Sequence, residues 1–173
     1  MVPVLAIIGK KNCGKTTLIE RLLPELIDLG HQVGTIKHHH GDIQMDQPGK
    51  DTWRHKQAGA KVVVLSSPTG LGLIRDTSTE IPVQELVGLY FSEMDLVLTE
   101  GYKKEAIPKV EIFRSNVHSA PLPDPEGNLI AMMSDVETGR DIPHFRLNDC
   151  RALAEFIAEK IISPAGKKIL DPT

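Results

Sequence analysis

The sequence predicts an α/β protein with a mostly parallel, mixed sheet and helices on both of its faces. Apolar, β-branched runs of strand length recur along the 173 residues, and apolar stretches of helical period lie between several of them. Strands that alternate with helices form mainly parallel sheets whose two faces are both covered. The third observation is a glycine-containing loop at the first strand-to-helix junction.

Seven apolar runs are predicted to be strands: 4–8, 33–36, 61–65, 96–99, 109–113, 129–133 and a short last one at 144–147. Residues 70–76 have the pattern of an additional hairpin strand. An antiparallel strand of this kind would make the predicted sheet mixed.

The first predicted helix has an apolar face that begins at Leu18 and ends at Ile27, with Gly30 in the C-terminal capping position. Pro24 interrupts this face, so we expect a kink or a helix in two parts. Three further helices are predicted at 51–58, 83–91 and 149–162. Asp51 is a suitable N-terminal cap, and so is Asp149. The inward side chains of the last helix are expected to be Leu153, Phe156 and Ile157.

Composition and charge exclude several classes of function. A net charge of −3 and a pI near 6.2 argue against nucleic-acid or membrane-surface binding, because both need a basic face. No apolar run approaches the ~20 residues that span a bilayer, and no signal peptide is recognisable, so we expect a cytoplasmic protein. Only two cysteines occur, which makes a structural disulfide improbable. The length fits a single domain over residues 1–162, followed by an aperiodic, flexible tail at 163–173.

Residues 9–16 read Gly-Lys-Lys-Asn-Cys-Gly-Lys-Thr and match the phosphate-binding loop pattern G-x-x-x-x-G-K-[ST]. Gly9 and Gly14 allow a tight turn, and the amides from Asn12 to Thr17 can form a nest at a helix N-terminus. These amides are expected to bind the α- and β-phosphates of a nucleoside triphosphate. A glycine-rich turn without a ligand is the structural alternative.

The remaining residues of the loop have separate predicted roles. Lys15 reaches the β- and γ-phosphates, the Thr16 hydroxyl binds Mg²⁺, and Thr17 serves the α-phosphate. Lys11 is included among the binding residues of the loop. Cys13 is also included, and we interpret its side chain as a small neutral filler rather than a reactive thiol.

Ligands of open α/β sheets lie beyond the carboxyl ends of the strands, which separates two acidic candidates. Asp95 begins the strand 96–99 and should point away from the nucleotide, whereas Glu100 ends it on the phosphate side. Glu100 is therefore expected to bind the water shell of Mg²⁺ or to orient an attacking water. A solvent-exposed acid at a strand end is the structural alternative.

Residues 37–51 form a long polar segment after the second strand and have the character of a switch loop. Asp46 is the preferred metal ligand among its acidic residues, since Asp51 is better used as a cap. Lys37 is expected to contact the phosphates. The three consecutive histidines, 38–40, do not have the spacing of a transition-metal site.

Further cations follow other strands or lie on the expected ligand side, and any of them is more often a solvated surface residue than a functional one. One of them could complete a phosphoryl-transfer site, in the same chain or across a dimer. These cations are Arg54, Arg75, Lys103, Lys104 and Arg114.

Several motifs together resemble the MobB family, and the resemblance extends from Pro3 to about Ile162. The motifs are the phosphate loop with Thr16-Thr17-Leu18, Val33-Gly34-Thr35-Ile36-Lys37-His38, Asp46-x-Pro48-Gly49-Lys50-Asp51, Arg54-His55 with Ala58-Gly59-Ala60, and Leu98-Thr99-Glu100-Gly101-Tyr102-Lys103. Cys13 departs from the family pattern, where Ser is common, without affecting the backbone amides.

The resemblance implies a P-loop fold that binds GTP with Mg²⁺, hydrolyses it weakly and forms a homodimer. It also implies an adaptor role beside the guanylyltransferase MobA in molybdopterin-guanine dinucleotide synthesis, with molybdopterin or molybdoenzymes as further partners. Asp46 and Glu100 match acidic positions of the family near the metal, and residues 9–17 match its phosphate loop.

The residues alone do not indicate guanine, because no Asn-Lys-x-Asp run is present. Asn148 and Asp149 follow the last strand, where a base could be recognised. Two alternatives stay open at this point. One is a small-molecule kinase or ATP-dependent ligase similar to dethiobiotin synthetase, in which residues 37–50 hold an acceptor. The other is a scaffold that binds a pyrophosphate-containing product without hydrolysis.

Overall fold

The computed structural model describes residues 1–41, 43 and 46–163. The chain divides into two compact units, one made of residues 1–38 with the described residues from 86 onward, the other of residues 39–85. Apart from Ser163, the predicted tail lies outside the described residues, and the single-domain assignment stays a prediction. Across the described part of the chain, no helix combines the length and the apolar character needed to cross a membrane.

The strands are β1 Val4–Ile8, β2 Val33–Lys37, β3 Val62–Ser67, β4 Gly70–Arg75, β5 Leu96–Glu100, β6 Lys109–Phe113, β7 Leu129–Ser134 and β8 His144–Phe145. The helices are α1 Lys15–Asp28, α2 Asp51–Gln57, α3 Val83–Tyr90 and α4 Cys150–Ile157, which continues as a π-helical turn, Ala158–Ile162. All predicted strands and helices are confirmed, with ends that differ by up to three residues.

Six strands of the first unit form one sheet in the order β2-β5-β1-β6-β7-β8, and every pairing in it is parallel. The α/β class predicted from the alternation of strands and helices is confirmed. Because the strands are parallel, the loops that follow β1, β2, β5 and β6 all leave the same edge of the sheet.

One face of this sheet packs against α1 and α4. Its core contains alternate residues of the central strands, among them Leu5 and Leu98, together with Leu22 of α1 and Leu153 of α4, all fully buried. Apolar residues repeat every second position in a strand and every third or fourth in a helix, so the two periods bring one side of each element into this core.

The opposite face of the sheet is buried but partly polar. Phe91, directly after α3, packs against it, since a Cβ built on Gly34 of β2 would lie 2.3 Å from Phe91 Cδ1. The chain after α3 and the helices α1 and α4 thus lie on different faces, as the fold class predicts. Four polar side chains on this second face are at most 3% exposed: Thr99, Lys109, Glu111 and Ser134.

The second unit contains α2 and an antiparallel hairpin of β3 and β4, in which Val64 pairs with Leu73. The predicted hairpin strand is therefore confirmed, but its membership of the main sheet is wrong. The antiparallel component forms a separate two-stranded sheet. β3 and β4 form backbone hydrogen bonds with each other along their whole length, so neither strand has to pair with the edge of the parallel sheet.

Three local expectations need correction. The cap position of α2 is occupied by Lys50, and Asp51 is the first helical residue, where its charge favours the helix dipole. Asp149 occupies the cap position of α4, but its carboxylate accepts a hydrogen bond from Arg146 N at 3.2 Å instead of from the helix. α1 is continuous through Pro24, so the expected division into two helices is not observed.

Candidate functional site

The loop between β1 and α1 has the backbone that a phosphate-binding turn requires. Gly9 has φ +154°, and a Cβ at this position would lie 2.5 Å from the Ile112 carbonyl oxygen, so only glycine fits. Gly14 has φ +94° and directly precedes the first helical residue, Lys15. Asn12 is also in the left-handed region, with φ 65°. The loop therefore turns tightly onto the N-terminus of α1, where exposed amides favour an anion.

A cavity of about 470 Å³ opens at this helix end and is lined by residues of the loop, the start of α1 and the end of β5. Gly9 and Cys13 belong to the loop but do not line the cavity, and the Cys13 side chain is buried, with 1% of its surface exposed. The lining residues are Lys11, Asn12, Gly14, Lys15, Thr16, Thr17 and Glu100.

Glu100 brings the end of β5 to this cavity. Thr16 Oγ1 donates a hydrogen bond of 2.9 Å to Glu100 Oε2, and Lys37 Nζ lies 3.7 Å from Glu100 Oε1. The parallel register explains the meeting, because Lys37, Glu100 and Ile7 are partners at the ends of three adjacent strands. Asp95 directly precedes β5 at the opposite end, where its carboxylate accepts a hydrogen bond from Gln32 N.

The Lys15 ammonium is partly withdrawn from water. Burial lowers its pKa, Glu100 opposes this shift, and the charges of Lys103 and Lys37 add to it. Lys15 Nζ donates to the Lys10 carbonyl at 3.0 Å. A phosphate anion would complete the hydrogen bonds of this ammonium and stabilise its charge.

The Thr16 hydroxyl and the Glu100 carboxylate are hard oxygen donors side by side, the kind of ligands that Mg²⁺ takes while it keeps most of its waters. Asp46 belongs to the second unit. Its Oδ1 accepts from Gln47 N at 2.8 Å, while its buried Oδ2 has no hydrogen-bond partner among the described residues. Asp42, another acidic residue of the segment 37–51, lies outside the described residues. No group of three or more His, Cys, Asp or Glu side chains suited to a metal occurs in the described chain.

His38, the first of the three consecutive histidines, contacts the end of β5 through its ring and its backbone. The His38 ring stacks on Tyr102, with centroids 4.5 Å apart, and His38 N donates to the Glu100 carbonyl. His38 thus packs beside the strand end that carries Glu100.

Two residues after β6 contact the outside of the loop. Arg114 Nε donates to the Cys13 carbonyl at 3.1 Å, and His118 Nε2 lies 2.8 Å from the Lys11 carbonyl oxygen. Sequence analysis predicted that Arg114 lies on the ligand side but did not predict its contact with the loop. It did not identify His118, because no local motif marks this residue. Of the other candidate cations, Arg54 and Arg75 belong to the second unit, whereas Lys103 influences Lys15.

A second cavity, of about 610 Å³, lies between α1 and α4 and includes Asn148 and Asp149. Arg21 of α1 also lines it and donates hydrogen bonds to the Leu147 carbonyl and Asn148 Oδ1. Arg21 is one helical turn, about 6 Å, beyond Thr17 of the first cavity. The two cavities therefore follow each other along one side of α1.

Comparison with known proteins agrees with this architecture. A family model described as "MobB: Molybdopterin guanine dinucleotide synthesis protein B" matches residues 4–135. The molybdopterin-guanine dinucleotide biosynthesis adapter protein of Escherichia coli (strain K12) is 36% identical over 167 residues, which covers 92% of this chain and 93% of that protein. The adapter protein of Haemophilus influenzae is 35% identical over 157 residues, which covers 90% of this chain and 88% of that protein.

Solved structures give the same result at the level of the fold. The crystal structure of Bacillus subtilis MobB superposes with a TM-score of 0.74 at 30% identity and covers 92% of this chain and 98% of that one. The family match over residues 4–135 includes the phosphate loop and Glu100. The chain therefore belongs to the MobB family of adapter proteins in molybdopterin-guanine dinucleotide biosynthesis.

Proposed function

We propose that this adapter binds GTP with Mg²⁺ and hydrolyses it slowly. The binding site is the 470 Å³ cavity at the loop 9–16, here called the phosphate cavity. The single observation that carries the proposal is the Thr16–Glu100 pair at the rim of a loop built to receive phosphates. A hydroxyl at the helix start and a carboxylate at a neighbouring strand end are the two ligands that would hold a partly hydrated Mg²⁺ against the β- and γ-phosphates.

The individual roles follow from position. Gly9, Lys11, Asn12, Cys13, Gly14 and Thr17 form the phosphate-binding loop, and Lys15 neutralises the β- and γ-phosphates. Lys37, 3.7 Å from Glu100, would add positive charge at the γ-phosphate end. Glu100 would hold the water shell of the metal or orient the attacking water. The role of Asp46 as a metal ligand stays a prediction from the sequence; its buried Oδ2 has no hydrogen-bond partner among the described residues.

The guanine preference has a candidate location in the second cavity. The Asp149 carboxylate is a hydrogen-bond acceptor, which suits the N1–H and amino donors of guanine and not the acceptor N1 of adenine. Asn148 can donate from its amide, while Arg21 holds its oxygen. The cavity follows the phosphate cavity along α1, the direction in which the nucleoside would extend.

Titration calorimetry with Mg²⁺ tests the nucleotide proposal. Wild-type protein is expected to bind GTP more tightly than ATP, and Lys15→Ala to abolish GTP binding, because the phosphates lose their buried counter-charge. His144→Ala is a suitable control, since that ring hydrogen-bonds Ser134 and His144 lines neither cavity. A flat GTP trace beside a strong ATP trace, or unchanged GTP affinity in K15A, would contradict the proposal. ATP consumption that depends on an added acceptor would favour a kinase or ligase instead.

The proposal includes a homodimer and a contact with the guanylyltransferase MobA, both in a cytoplasmic setting. The β3–β4 hairpin supports the homodimer, because Val62, Val64, Leu71 and Leu73 share one face and are exposed, Leu71 by 71%. Large exposed apolar patches mark interaction sites. Molybdopterin or a molybdoenzyme as a further partner stays a prediction.

Size-exclusion chromatography with light scattering measures both contacts. The wild type is expected to elute at twice the chain mass and to shift further with added MobA, whereas Leu71→Lys should elute as a monomer because a charge would be buried in the interface. An exposed substitution away from the hairpin, Glu137→Lys, serves as the control. A wild-type mass equal to one chain would contradict the dimer.

A further inference from the structure

The segment from Arg114 to Asn128, here called the brace segment, joins β6 to β7 and reaches the phosphate loop from outside. In a loop of this kind the amides that bind phosphate point inward and the carbonyls point outward. Two outward carbonyls have side-chain partners on the brace segment: Cys13 with Arg114 and Lys11 with His118, at 3.1 and 2.8 Å. Because a carbonyl oxygen can only accept, the His118 Nε2 must carry the proton in this contact.

The brace segment is itself held at several points along its length. Ser115 N and Oγ both donate to the Asp135 carboxylate after β7, at 2.9 and 3.0 Å, and these bonds lower the pKa of Asp135. Further along, Leu122 N donates to Glu111 Oε1 at 2.7 Å, and the Arg140 guanidinium donates to the Leu122 carbonyl.

Two charged side chains of β6 anchor this segment from below. Glu111 is 1% exposed and binds Leu122 N, and Lys109, 3% exposed, lies 3.6 Å from Glu126. Apolar residues at these strand positions would have filled the space at lower desolvation cost. Their charges instead give directional contacts that define where the brace segment runs.

From these contacts we infer that Arg114 and His118 are positioning residues that hold the phosphate loop open for an anion before any nucleotide arrives. Each side chain binds one outward carbonyl, so the peptide planes between Lys11 and Gly14 keep their amides directed into the cavity. Arg114 also limits the space at Gly14, where a Cβ would lie 3.4 Å from its Nη2. The ligand of the loop is a polyphosphate chain. The inference rests on the proposed function only in assuming that this chain belongs to a nucleotide.

A preformed loop binds more tightly because less backbone freedom is lost on binding. Loss of one carbonyl contact corresponds to one hydrogen bond, so His118→Ala should weaken anion binding about 3- to 10-fold. Arg114→Ala removes a charge-assisted hydrogen bond and a packing contact, and should weaken it about 10- to 100-fold. Lys15→Ala, which removes a direct ligand, marks the maximal loss.

The test uses two probes on the full chain, inorganic tripolyphosphate with Mg²⁺ and GTP with Mg²⁺, measured by calorimetry beside the apo melting temperature. His118→Gln restores an N–H donor at similar reach and should recover most of the wild-type affinity, whereas His118→Leu, which fills similar space without a donor, should not. His144→Ala, matched in residue type and in hydrogen-bond length, should leave both affinities unchanged. Because His118 is only half-buried, its variants test the inference even if Arg114→Ala fails to fold.

Equal weakening of both probes in His118→Ala, with rescue by His118→Gln, supports the inference. Unchanged tripolyphosphate affinity in His118→Ala, or a His118→Gln affinity equal to that of His118→Ala, overturns it. A wild type that binds tripolyphosphate but not GTP contradicts the proposed function and leaves the positioning role to be judged on tripolyphosphate. A wild type that binds neither probe overturns both.

Discussion

The two faces of the parallel sheet are both buried, but they contain different chemistry. The face under α1 and α4 is built from fully buried aliphatic residues such as Leu22 and Leu153. The other face contains Lys109 and Glu111, which are also almost fully buried. Apolar packing stabilises without fixing a direction, whereas a buried charge needs a partner at a defined place. The first face therefore provides stability, and the second positions the brace segment beside the phosphate loop.

The largest expected change in stability comes from a substitution on the apolar face of the sheet. Leu153→Ala removes a fully buried side chain between α4 and the sheet and should lower the free energy of unfolding by about 2–5 kcal/mol. Urea unfolding measures the loss. At temperatures where the variant stays folded, its tripolyphosphate affinity should equal that of the wild type.

The control for this variant is Leu89→Ala, which truncates an exposed leucine of α3 outside the proposed interfaces and should change chain stability little. A Leu153→Ala protein that is as stable as the wild type, or one that is folded but binds anions poorly, would show that the apolar face does not have a purely stabilising role.

A smaller effect, with a definite sign, is expected on the charged face. Burial raises the pKa of Glu111, with the Leu122 N hydrogen bond and Arg140 opposing it. Between the unfolded and the raised folded pKa the native state binds more protons, so the free energy of unfolding falls as pH rises through this interval. Glu111→Gln does not titrate, and its stability relative to the wild type should therefore improve from acid to neutral pH.

Urea unfolding across that pH range gives the measurement, and Asp135→Asn gives a control of opposite sign. Hydrogen bonds from Ser115 lower the pKa of Asp135, so its stabilising contribution is lost as pH falls through the folded pKa. A Glu111→Gln curve parallel to the wild-type curve at every pH would indicate that Glu111 is not the titrating group on this face.

The features that sequence reasoning predicted well depend on neighbours along the chain. The phosphate loop is a contiguous motif, and the strand-end rule selected Glu100 over Asp95 because it needs only the order of residues within one strand. The contacts of Arg114 and His118 could not be predicted in this way. They join residues that are 101 and 107 positions apart, and no local pattern marks Arg114 or His118 as a partner of the loop.

The placement of the hairpin shows the same limit in the fold. The sequence correctly indicated that residues 70–76 form a strand, yet it assigned that strand to the main sheet. Which strand a segment pairs with depends on hydrogen bonding between distant backbones, and alternation of side chains does not encode it. Asp51 is a local counterpart, because whether it caps or begins α2 depends on the backbone angles of Lys50.

By itself, the sequence determined the α/β class, the phosphate loop and the residues at its rim, because hydrophobic period and short motifs act through local backbone geometry. Tertiary structure alone decided that Thr16 meets Glu100, that the hairpin forms its own sheet, and that the brace segment holds the loop from outside. Those outcomes depend on contacts between parts of the chain that are remote in sequence, and only the packed sheet brings them together.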